Sequence, residues 1–333
     1  MKISVAIATY NGEHFIERQL ESIKCQTQLP DEVIICDDCS QDGTVEIVKN
    51  YIRKSKLLNW KIEINRTNLG YKKNFFQLLT KVTGDLIFLS DQDDHWKPNK
   101  IEVMAKTIQQ NPSLGTLNSA ISLIDQNSQP VEVALKPNFY NANFLHSTKP
   151  LQNLNFFGLD NILQRNISPG CSMCITRKIC DDFILLYDYS LPHDWFLNLL
   201  SSIDNGCGFL NEPLIDYRIH SQNTLGLSVD PGSAGKIKIF ENLRKSKINE
   251  FSNLIEAFGT ISQYFSLSES RKKHINDYLH ARRGFYQQQN LRALIQLRRF
   301  PEYYQTATFK GRLWDLLIAI HLKNFFYKVM KHI

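Results

Sequence analysis

Short apolar runs and segments with helical spacing alternate through the first 110 residues of the chain. Strand-like runs lie at 3–8, 32–38, 61–66 and 85–91. Segments with apolar residues at helical spacing lie between and after them, at 13–26, 44–52, 74–82 and from Pro98 to Asn111. Strands that alternate with helices at this spacing predict an α/β fold with a parallel, helix-covered sheet.

Polar clusters follow each of the four predicted strands. They read TYNG, DDCSQDG, NRTNLG and SDQDD in chain order. The carboxyl ends of parallel strands meet at one edge of a sheet, and ligands of open α/β sheets bind there. Four polar clusters at that edge therefore predict a binding site, whereas a purely structural explanation would have to account for each cluster separately.

The most acidic of these clusters is LSDQDDHW, residues 89–96, which places Asp91, Asp93 and Asp94 directly after an apolar strand. Carboxylates this close repel one another, and burying them is costly without a counter-charge. A divalent cation would remove the repulsion and offer open coordination positions to phosphate oxygens. The alternative is a set of solvated loop carboxylates.

Charge is distributed unevenly along the 333 residues, although 43% hydrophobic and 22% charged residues are ordinary for a globular protein. Residues 227–333 contain 18 Lys/Arg and 8 Asp/Glu, a net charge of +10, whereas residues 1–226 contain 21 and 25, a net charge of −4. We expect two domains with this boundary, joined by a linker at 229–235, and the basic one to face something anionic.

The seven cysteines are an odd number, which does not fit a secreted disulfide framework. The first apolar run, Ile3 to Ala8, is too short for a secretory signal, and no stretch approaches the roughly 20 apolar residues of a membrane span. We expect a cytoplasmic protein with reduced thiols. The pairs Cys36–Cys39 and Cys171–Cys174 leave a four-thiolate zinc site as an alternative, but small buried residues are the favoured interpretation.

Seven motifs together resemble family 2 glycosyltransferases, in particular the rhamnosyltransferase-type members. In chain order they are SVAIATYNG, VIICDDCSQDGT, NLG, FLSDQDDHW, GCSM, PHDW and YRIHSQN, all within residues 1–226. The resemblance implies a GT-A (Rossmann-like) fold with a mixed, mainly parallel central sheet. It also implies a nucleotide-diphosphate sugar donor (a dTDP- or UDP-sugar), Mg²⁺ or Mn²⁺ as cofactor, and inversion at the anomeric carbon.

The same resemblance assigns roles to individual positions. It implies that Asp194 is the catalytic base. The nucleotide-sugar site would comprise Thr9, Tyr10, Asn11, Asp38, Asn68, Lys73, Asp91 and Asp94. The metal ligands would be Asp91, Asp93 and His220, and the acceptor would contact His193 and Trp195. Lys73 departs from the family pattern, because many members have Arg in this region.

Two other functions remain open from the residues alone. An aspartyl-nucleophile phosphotransfer enzyme also has D-x-D after an apolar strand, but its D-x-D-x-T/V pattern does not fit His95. A non-catalytic nucleotide- or glycan-binding relative is disfavoured by the presence of both Asp93 and Asp194. Asp194 itself could serve only the dipole of a helix N-terminus, and Trp195 could be a core residue.

The basic C-terminal region is predicted to be helical. Its last segment, residues 311–333, combines an apolar face with Lys323, Lys328 and Lys331. This segment resembles an interfacial helix, which predicts peripheral attachment to the inner face of the cell membrane, near a glycan or lipid-linked glycan acceptor. The alternative is packing on the catalytic domain or on a second copy in a homo-oligomer. The basic groups match no nucleic-acid motif, and the Asn- and Phe-rich residues 125–165 are expected to form a variable loop or lid.

Overall fold

The computed structural model describes residues 1–132, 139–140, 145–146, 150–220, 236–306 and 309–320. The chain forms two compact units, Met1–Leu227 and Ser228–Ile333. The predicted linker at 229–235, parts of the predicted lid and the last 13 residues of the predicted interfacial helix, 321–333, lie outside the described residues.

The first unit alternates strands and helices along its amino-terminal half. In chain order these are β1 Ile3–Thr9, α1 Ile16–Lys24, β2 Glu32–Asp37, α2 Thr44–Lys54, β3 Trp60–Ile64, α3 Tyr71–Leu79, β4 Leu86–Ser90, β5 His95–Trp96, α4 Lys100–Gln110 and β6 Thr116–Ile124. The remainder comprises β7 Phe139–Tyr140, β8 Leu145–His146, β9 Leu154–Phe157, α5 Leu159–Ile162, a 3₁₀ turn at Gly170–Ser172, β10 Met173–Thr176, α6 Arg177–Leu186, α7 His193–Ser202 and β11 Cys207–Arg218.

The central sheet has the strand order β3-β2-β1-β4-β10-β6-β11-β5, and β9 pairs with β11 at the side. Strands β3, β2, β1 and β4 are parallel neighbours, as are β6 and β11. Strand β10 is antiparallel to both β4 and β6. The expected mixed, mainly parallel sheet is thus confirmed, and β10 joins its two parallel parts.

The strands at the centre of the sheet are buried along their whole length. Every residue of β4 is buried, and β1 is buried at six of its seven positions. Helices cover both faces of a parallel sheet, so its central strands are near-continuous apolar runs. This burial explains why β4 reads LIFLS without alternation, and it means that the polar residues after the strand emerge at the sheet edge.

Strand β11 pairs irregularly with β6. It runs as one strand of 12 residues, Cys207–Arg218, with register shifts against β6 on either side of Pro213. Proline has no N–H to donate to a sheet ladder, so it is tolerated in a strand at such irregularities. The irregular pairing lets a single strand continue past Pro213 to Arg218, next to the acidic stretch.

The second unit is helical, as expected for the basic region. Its helices are α8 Lys236–Tyr264, α9 Glu269–Gln288, α10 Leu291–Leu297, α11 Pro301–Thr306 and α12 Phe309–Ala319. Ser268 caps α9 and Asn290 caps α10 with side-chain oxygens. None of the helices in the described part of the chain is long and apolar enough to cross a membrane.

Candidate active site

A cavity of about 590 Å³ lies at the carboxyl ends of β1 and β4. Its volume falls in the range of small-molecule sites, roughly 300–1,000 Å³. Ten residues predicted from the sequence line it: Thr9, Tyr10, Asn11, Asp38, Asn68, Asp91, Asp93, His193, Asp194 and His220. Residues more than 200 positions apart in the chain are therefore brought to one site.

Three predicted residues do not line the cavity. The side chain of Lys73 is exposed, and its neighbour Lys72 donates hydrogen bonds to the carbonyls of Tyr189 and Ser190 instead. Asp94 is buried behind the cavity wall, 1% exposed. Trp195 is also buried, and its indole Nε1 donates to the Ile162 carbonyl at 2.8 Å, which fixes the first turn of α7.

The loop after β1 and the loop after β2 are tied together by hydrogen bonds. Asn11, at φ 49°, accepts a bond from the Gln41 amide at its Oδ1, and its own amide donates to Ser40 Oγ, both at 2.8 Å. Thr9 Oγ1 donates to Asp37 Oδ2 at 2.8 Å. These bonds fix the positions of the polar residues at the carboxyl end of β1, beside the cavity.

Asp38 shapes the loop that precedes α3. Its carboxylate accepts hydrogen bonds from the amides of Leu69 and Gly70, both at 2.8 Å, and from Asn65 Nδ2 at 2.9 Å. Gly70 has φ 79°, a left-handed conformation that favours glycine. Asp38 thus has a structural role that its sequence context did not suggest, and it also lines the cavity.

Basic side chains from distant parts of the chain lie next to the acidic stretch after β4. His220 Nε2 lies 2.8 Å from Asp93 Oδ2. Arg218, 1% exposed, donates from its amide to Asp94 Oδ1 at 3.2 Å and from Nε to the Asp93 carbonyl at 2.7 Å. Lys100 is fully buried nearby and donates to the Cys171 carbonyl at 2.6 Å.

The nearby basic groups do not fully offset the burial and mutual repulsion of the acids. Burial, followed by repulsion from Asp93 and Asp194, raises the pKa of Asp91 to about 7. Burial also raises the pKa of Asp94 well above its usual value, and its Oδ2 has no hydrogen-bond partner among the described residues. Burial lowers the pKa of Lys100 to about 8 although acids surround it. Burial therefore disfavours the charged forms of these acids and of Lys100 alike.

These residues fit a divalent cation. Ligand atoms of Asp91, Asp94 and Cys171 lie within 4.8 Å of one another, and no described residue donates a hydrogen bond to the buried Asp94 Oδ2. Carboxylate oxygens suit Mg²⁺ and Mn²⁺. Among the described residues, Asp94 and Cys171 lie close to Asp91. Asp93 and His220 form an adjacent pair that lines the cavity. No described set of four cysteines forms such a group, and all seven thiols are free.

Asp194 lies at the second position of α7 and faces the same cavity. Its Oδ1 accepts from the Trp195 amide at 2.8 Å, and its Oδ2 accepts from Asn166 Nδ2 at 2.9 Å. Burial raises the pKa of Asp194 to about 6, although these hydrogen bonds act in the opposite direction. A carboxylate with a pKa near 6 is ionised at neutral pH and basic enough to accept a proton.

A chain of buried amides positions Asp194. Asn198 donates to Asn166 Oδ1 at 3.1 Å, and Asn118 on β6 donates to Asn198 Oδ1 at 2.9 Å. Both Asn118 and Asn198 are fully buried. Sequence reasoning missed these residues, because a lone asparagine in a strand or helix carries no local signal of this pairing.

His193 lies beside Asp194, and within the described part of the chain neither of its ring nitrogens has a hydrogen-bond partner. The ring is 6% exposed and stacks on Phe75 with a centroid distance of 3.8 Å. Burial lowers its pKa to about 3, so the imidazole is neutral. Gly170 makes room for it, since a Cβ there would lie 2.7 Å from His193 Nε2. A neutral imidazole at the cavity wall offers one donor and one acceptor.

Comparison with known proteins places this arrangement among glycosyltransferases. The family model described as "Glycosyl transferase family 2" matches residues 4–174. An uncharacterised protein of Mycobacterium tuberculosis is 27% identical over 221 residues, which cover 66% of this chain and 59% of the relative. The dTDP-rhamnosyl transferase RfbG of Shigella flexneri is 26% identical over 238 residues, which cover 67% of this chain and 74% of the relative.

Similarity also extends to the three-dimensional structure. The crystal structure of residues 1–349 of S. aureus TarS in complex with UDP matches with a TM-score of 0.59 and 19% identity, and the match covers 96% of this chain and 87% of that one. The expected GT-A fold is therefore confirmed. The comparisons also favour a glycosyltransferase over the phosphotransfer alternative. The chain spans only 59% of the length of the mycobacterial relative.

Proposed function

The chain belongs to glycosyl transferase family 2, and on that premise we propose that it is an inverting, metal-dependent glycosyltransferase. It would transfer a sugar from a nucleotide-diphosphate donor to a glycan acceptor. The observation that carries the proposal is that one cavity holds both the acidic stretch after β4 and Asp194, and that Asp194 contributes to the raised pKa of Asp91. A base and a diphosphate site must face each other in this way for a direct displacement.

The donor nucleotide would bind between the loops that follow β1, β2 and β3. Tyr10 is 44% exposed at the cavity and offers an aromatic face to the base. Asn11, Asn68 and Asp38 contribute polar groups along the same wall. The proposed donor site does not include Lys73, because its exposed side chain lies outside the cavity lining.

Mg²⁺ or Mn²⁺ would be held by Asp91, Asp93 and His220, with Asp94 behind them. When bound, the cation stabilises the negative charge that develops on the departing diphosphate. Asp93 and His220 are already in contact at 2.8 Å, so little rearrangement is needed for both side chains to bind one metal ion. Arg218 supports this arrangement by holding the backbone of Asp93.

Asp194 would act as the general base. Its carboxylate accepts the proton of the acceptor hydroxyl while that oxygen attacks the anomeric carbon of the donor, and the nucleotide diphosphate leaves from the opposite face. Asn166 and the Trp195 amide keep both carboxylate oxygens oriented. A single displacement of this kind inverts the anomeric centre.

His193 would contact the acceptor. Its neutral ring lies next to the base and has two nitrogens free to bind sugar hydroxyl groups. Trp195, by contrast, would act indirectly, because its buried indole fixes the start of α7 rather than facing the cavity. We expect the acceptor to be a glycan or lipid-linked glycan of a bacterial-type surface polysaccharide. Because the Shigella relative is a dTDP-rhamnosyl transferase, dTDP-rhamnose is the first donor to test.

The donor is identified by measuring nucleotide-diphosphate release. The protein is incubated with Mn²⁺ and a panel containing dTDP-rhamnose, UDP-N-acetylglucosamine and GDP-mannose, with and without acceptor glycans. We expect release from one donor to increase at least about tenfold when its acceptor is present, because transfer of the sugar to the acceptor then replaces slow hydrolysis of the donor. Absence of release from every donor, together with formation of aspartyl phosphate on the protein, would contradict the proposal.

The basic second unit would hold the enzyme at an anionic membrane surface. Leu291, Ile295, Phe309 and Leu313 are large apolar side chains exposed on α10 and α12, and residues 227–333 carry a net charge of +10. Replacing Lys323, Lys328 and Lys331 by Glu should weaken binding to vesicles with anionic lipid at least about tenfold, because each basic group at such a surface contributes ~1 kcal/mol.

Sedimentation with phosphatidylserine-containing vesicles measures this binding, and neutral vesicles serve as the control. Unchanged sedimentation of the triple variant would show that these lysines do not bind lipid. Loss of a dimer in the variant, with lipid binding intact, would assign the segment to a contact between copies.

A further inference from the structure

Gln92 is the residue between Asp91 and Asp93, but its side chain bonds to a different strand end. Its Oε1 accepts a hydrogen bond from the Tyr10 amide at 2.8 Å, and its Nε2 donates to the Tyr10 carbonyl at 2.9 Å. One amide group therefore pairs with both backbone groups of a single residue. This paired contact fixes the position and rotation of the backbone at Tyr10.

Gly12 makes this contact possible. A Cβ at position 12 would lie 2.2 Å from Gln92 Oε1 and 2.4 Å from Gln92 Cδ. The amide of Gln92 is thus packed directly on the backbone of the loop after β1. Any side chain at position 12 would displace Gln92, which gives a second and independent means of breaking the contact.

The opposite side of the same loop is held by the β2–α2 connection. Ser40 Oγ accepts from the Asn11 amide at 2.8 Å, and Thr44 Oγ1 accepts from the Gly12 amide at 2.7 Å. These bonds involve no residue of the acidic stretch. The two hydrogen bonds between Gln92 and Tyr10 therefore join the acidic stretch directly to the loop that carries Tyr10 and Asn11.

We propose that Gln92 is a positioning residue that couples cation binding at Asp91 and Asp93 to nucleotide binding at Tyr10 and Asn11. A cation that orders the two flanking carboxylates also orders Gln92 between them, and Gln92 transmits this order to the Tyr10 backbone. Coupling between two sites is reciprocal, so bound nucleotide would strengthen cation binding by the same factor. The inference rests on the proposed function, because it requires that a cation and a nucleotide diphosphate both bind here.

Calorimetric titration of UDP and dTDP, each with and without Mn²⁺, tests the coupling. The wild-type protein should bind its preferred nucleotide about tenfold more tightly with Mn²⁺, within the range usual for coupled sites. Gln92→Leu keeps the size of the side chain but removes both hydrogen bonds. In this variant the enhancement by Mn²⁺ should fall below about threefold, because affinity with Mn²⁺ falls more than affinity without it. Gly12→Ala should have the same effect.

Gln41→Leu is the matched control, because it removes a side-chain amide from the β2–α2 connection and leaves the contact between Gln92 and Tyr10 intact. The side chain of Gln41 bonds within its own loop, to the Cys39 carbonyl at 2.9 Å, and its backbone amide still holds Asn11. This variant should keep the full enhancement by Mn²⁺. Thermal unfolding of each variant verifies that the proteins compared are folded.

The outcomes separate the two proposals. If Gln92→Leu keeps the wild-type enhancement, or weakens binding equally with and without Mn²⁺, Gln92 supports the loop without coupling the sites. If wild-type binding is the same with and without Mn²⁺, the coupling is refuted while nucleotide binding stands. If the wild-type protein binds neither UDP nor dTDP in the presence of Mn²⁺, the proposed function fails and the inference fails with it.

Discussion

Replacing Asp194 by asparagine should lower the rate of sugar transfer by about 10³-fold, within the ~10²–10⁴-fold range of general-base catalysis. The variant keeps the shape of the side chain, and its Oδ1 can still accept from the Trp195 amide, which bonds the wild-type carboxylate at 2.8 Å. The amide cannot take a proton from the acceptor hydroxyl. Donor affinity should therefore stay within about twofold of wild type, because binding does not use the base.

Single-turnover transfer and donor titration measure the two quantities separately. Asp181→Asn is the control, since this carboxylate on α6 has a side chain that is 62% exposed and does not line the cavity. Transfer by Asp194→Asn at a rate near that of wild type would mean that another group is the base. A loss of donor binding would instead place Asp194 in the donor site.

The pH dependence of transfer gives a further test of the same role. The pKa of Asp194 is raised to about 6, so the carboxyl is protonated and inactive below that pH. Transfer measured at saturating donor and metal should rise with pH through about 6 and then level off. His193 cannot produce this rise, because its pKa is lowered to about 3. The rise should be absent from the residual activity of Asp194→Asn.

Replacing Asp93 by alanine should abolish most of the metal-dependent binding of the donor. Asp93 Oδ2 lies 2.8 Å from His220 Nε2, so the variant loses one proposed ligand and one contact of another. Loss of an outer hydrogen-bond partner alone costs ~10–100-fold in metal affinity, and loss of a ligand should cost at least about 100-fold. Affinity for the nucleotide without metal should stay the same or rise, because Asp93 then adds only repulsion.

Electron paramagnetic resonance of Mn²⁺ measures cation binding without reference to activity. His95→Ala is the matched control from the same stretch, because His95 is exposed and pairs with Asp216 at 3.6 Å, away from the acids. It should bind Mn²⁺ as wild type does. Unchanged Mn²⁺ binding by Asp93→Ala would exclude Asp93 as a ligand, and Asp91, Asp94 and Cys171 would then be the set to test.

Much of the site could be predicted because its residues occur at strand ends. The apolar runs at β1, β2 and β4 are local patterns, and the polar residues after them must meet at one sheet edge if the strands are parallel. Tyr10, Asp38 and Asp91 were found in this way. Asp194 and His220 follow no such strand in the regular part of the chain, and only the resemblance to a family pointed to them.

The residues that sequence reasoning missed act through long-range contacts. Arg218 and Lys100 supply the buried cations beside the acids, yet neither lies next to them in the chain. Gln92 was visible inside the acidic motif, but its partner Tyr10 is 82 positions away. The resemblance implied that Lys73 lies at the nucleotide, but its side chain is exposed to solvent. Charge type is readable from sequence, whereas side-chain direction is set by packing.

The sequence by itself determined the alternating α/β layout, the acidic stretch after a buried strand, and the division of charge between residues 1–226 and 227–333. These features depend on periodicity and composition, which are local properties. Only the tertiary structure decided that β10 inserts antiparallel between β4 and β6, and that α7 places Asp194 near Asp91. Such pairings depend on which distant surfaces fit together, because the free energy of burial is gained only when segments far apart in the chain pack against each other.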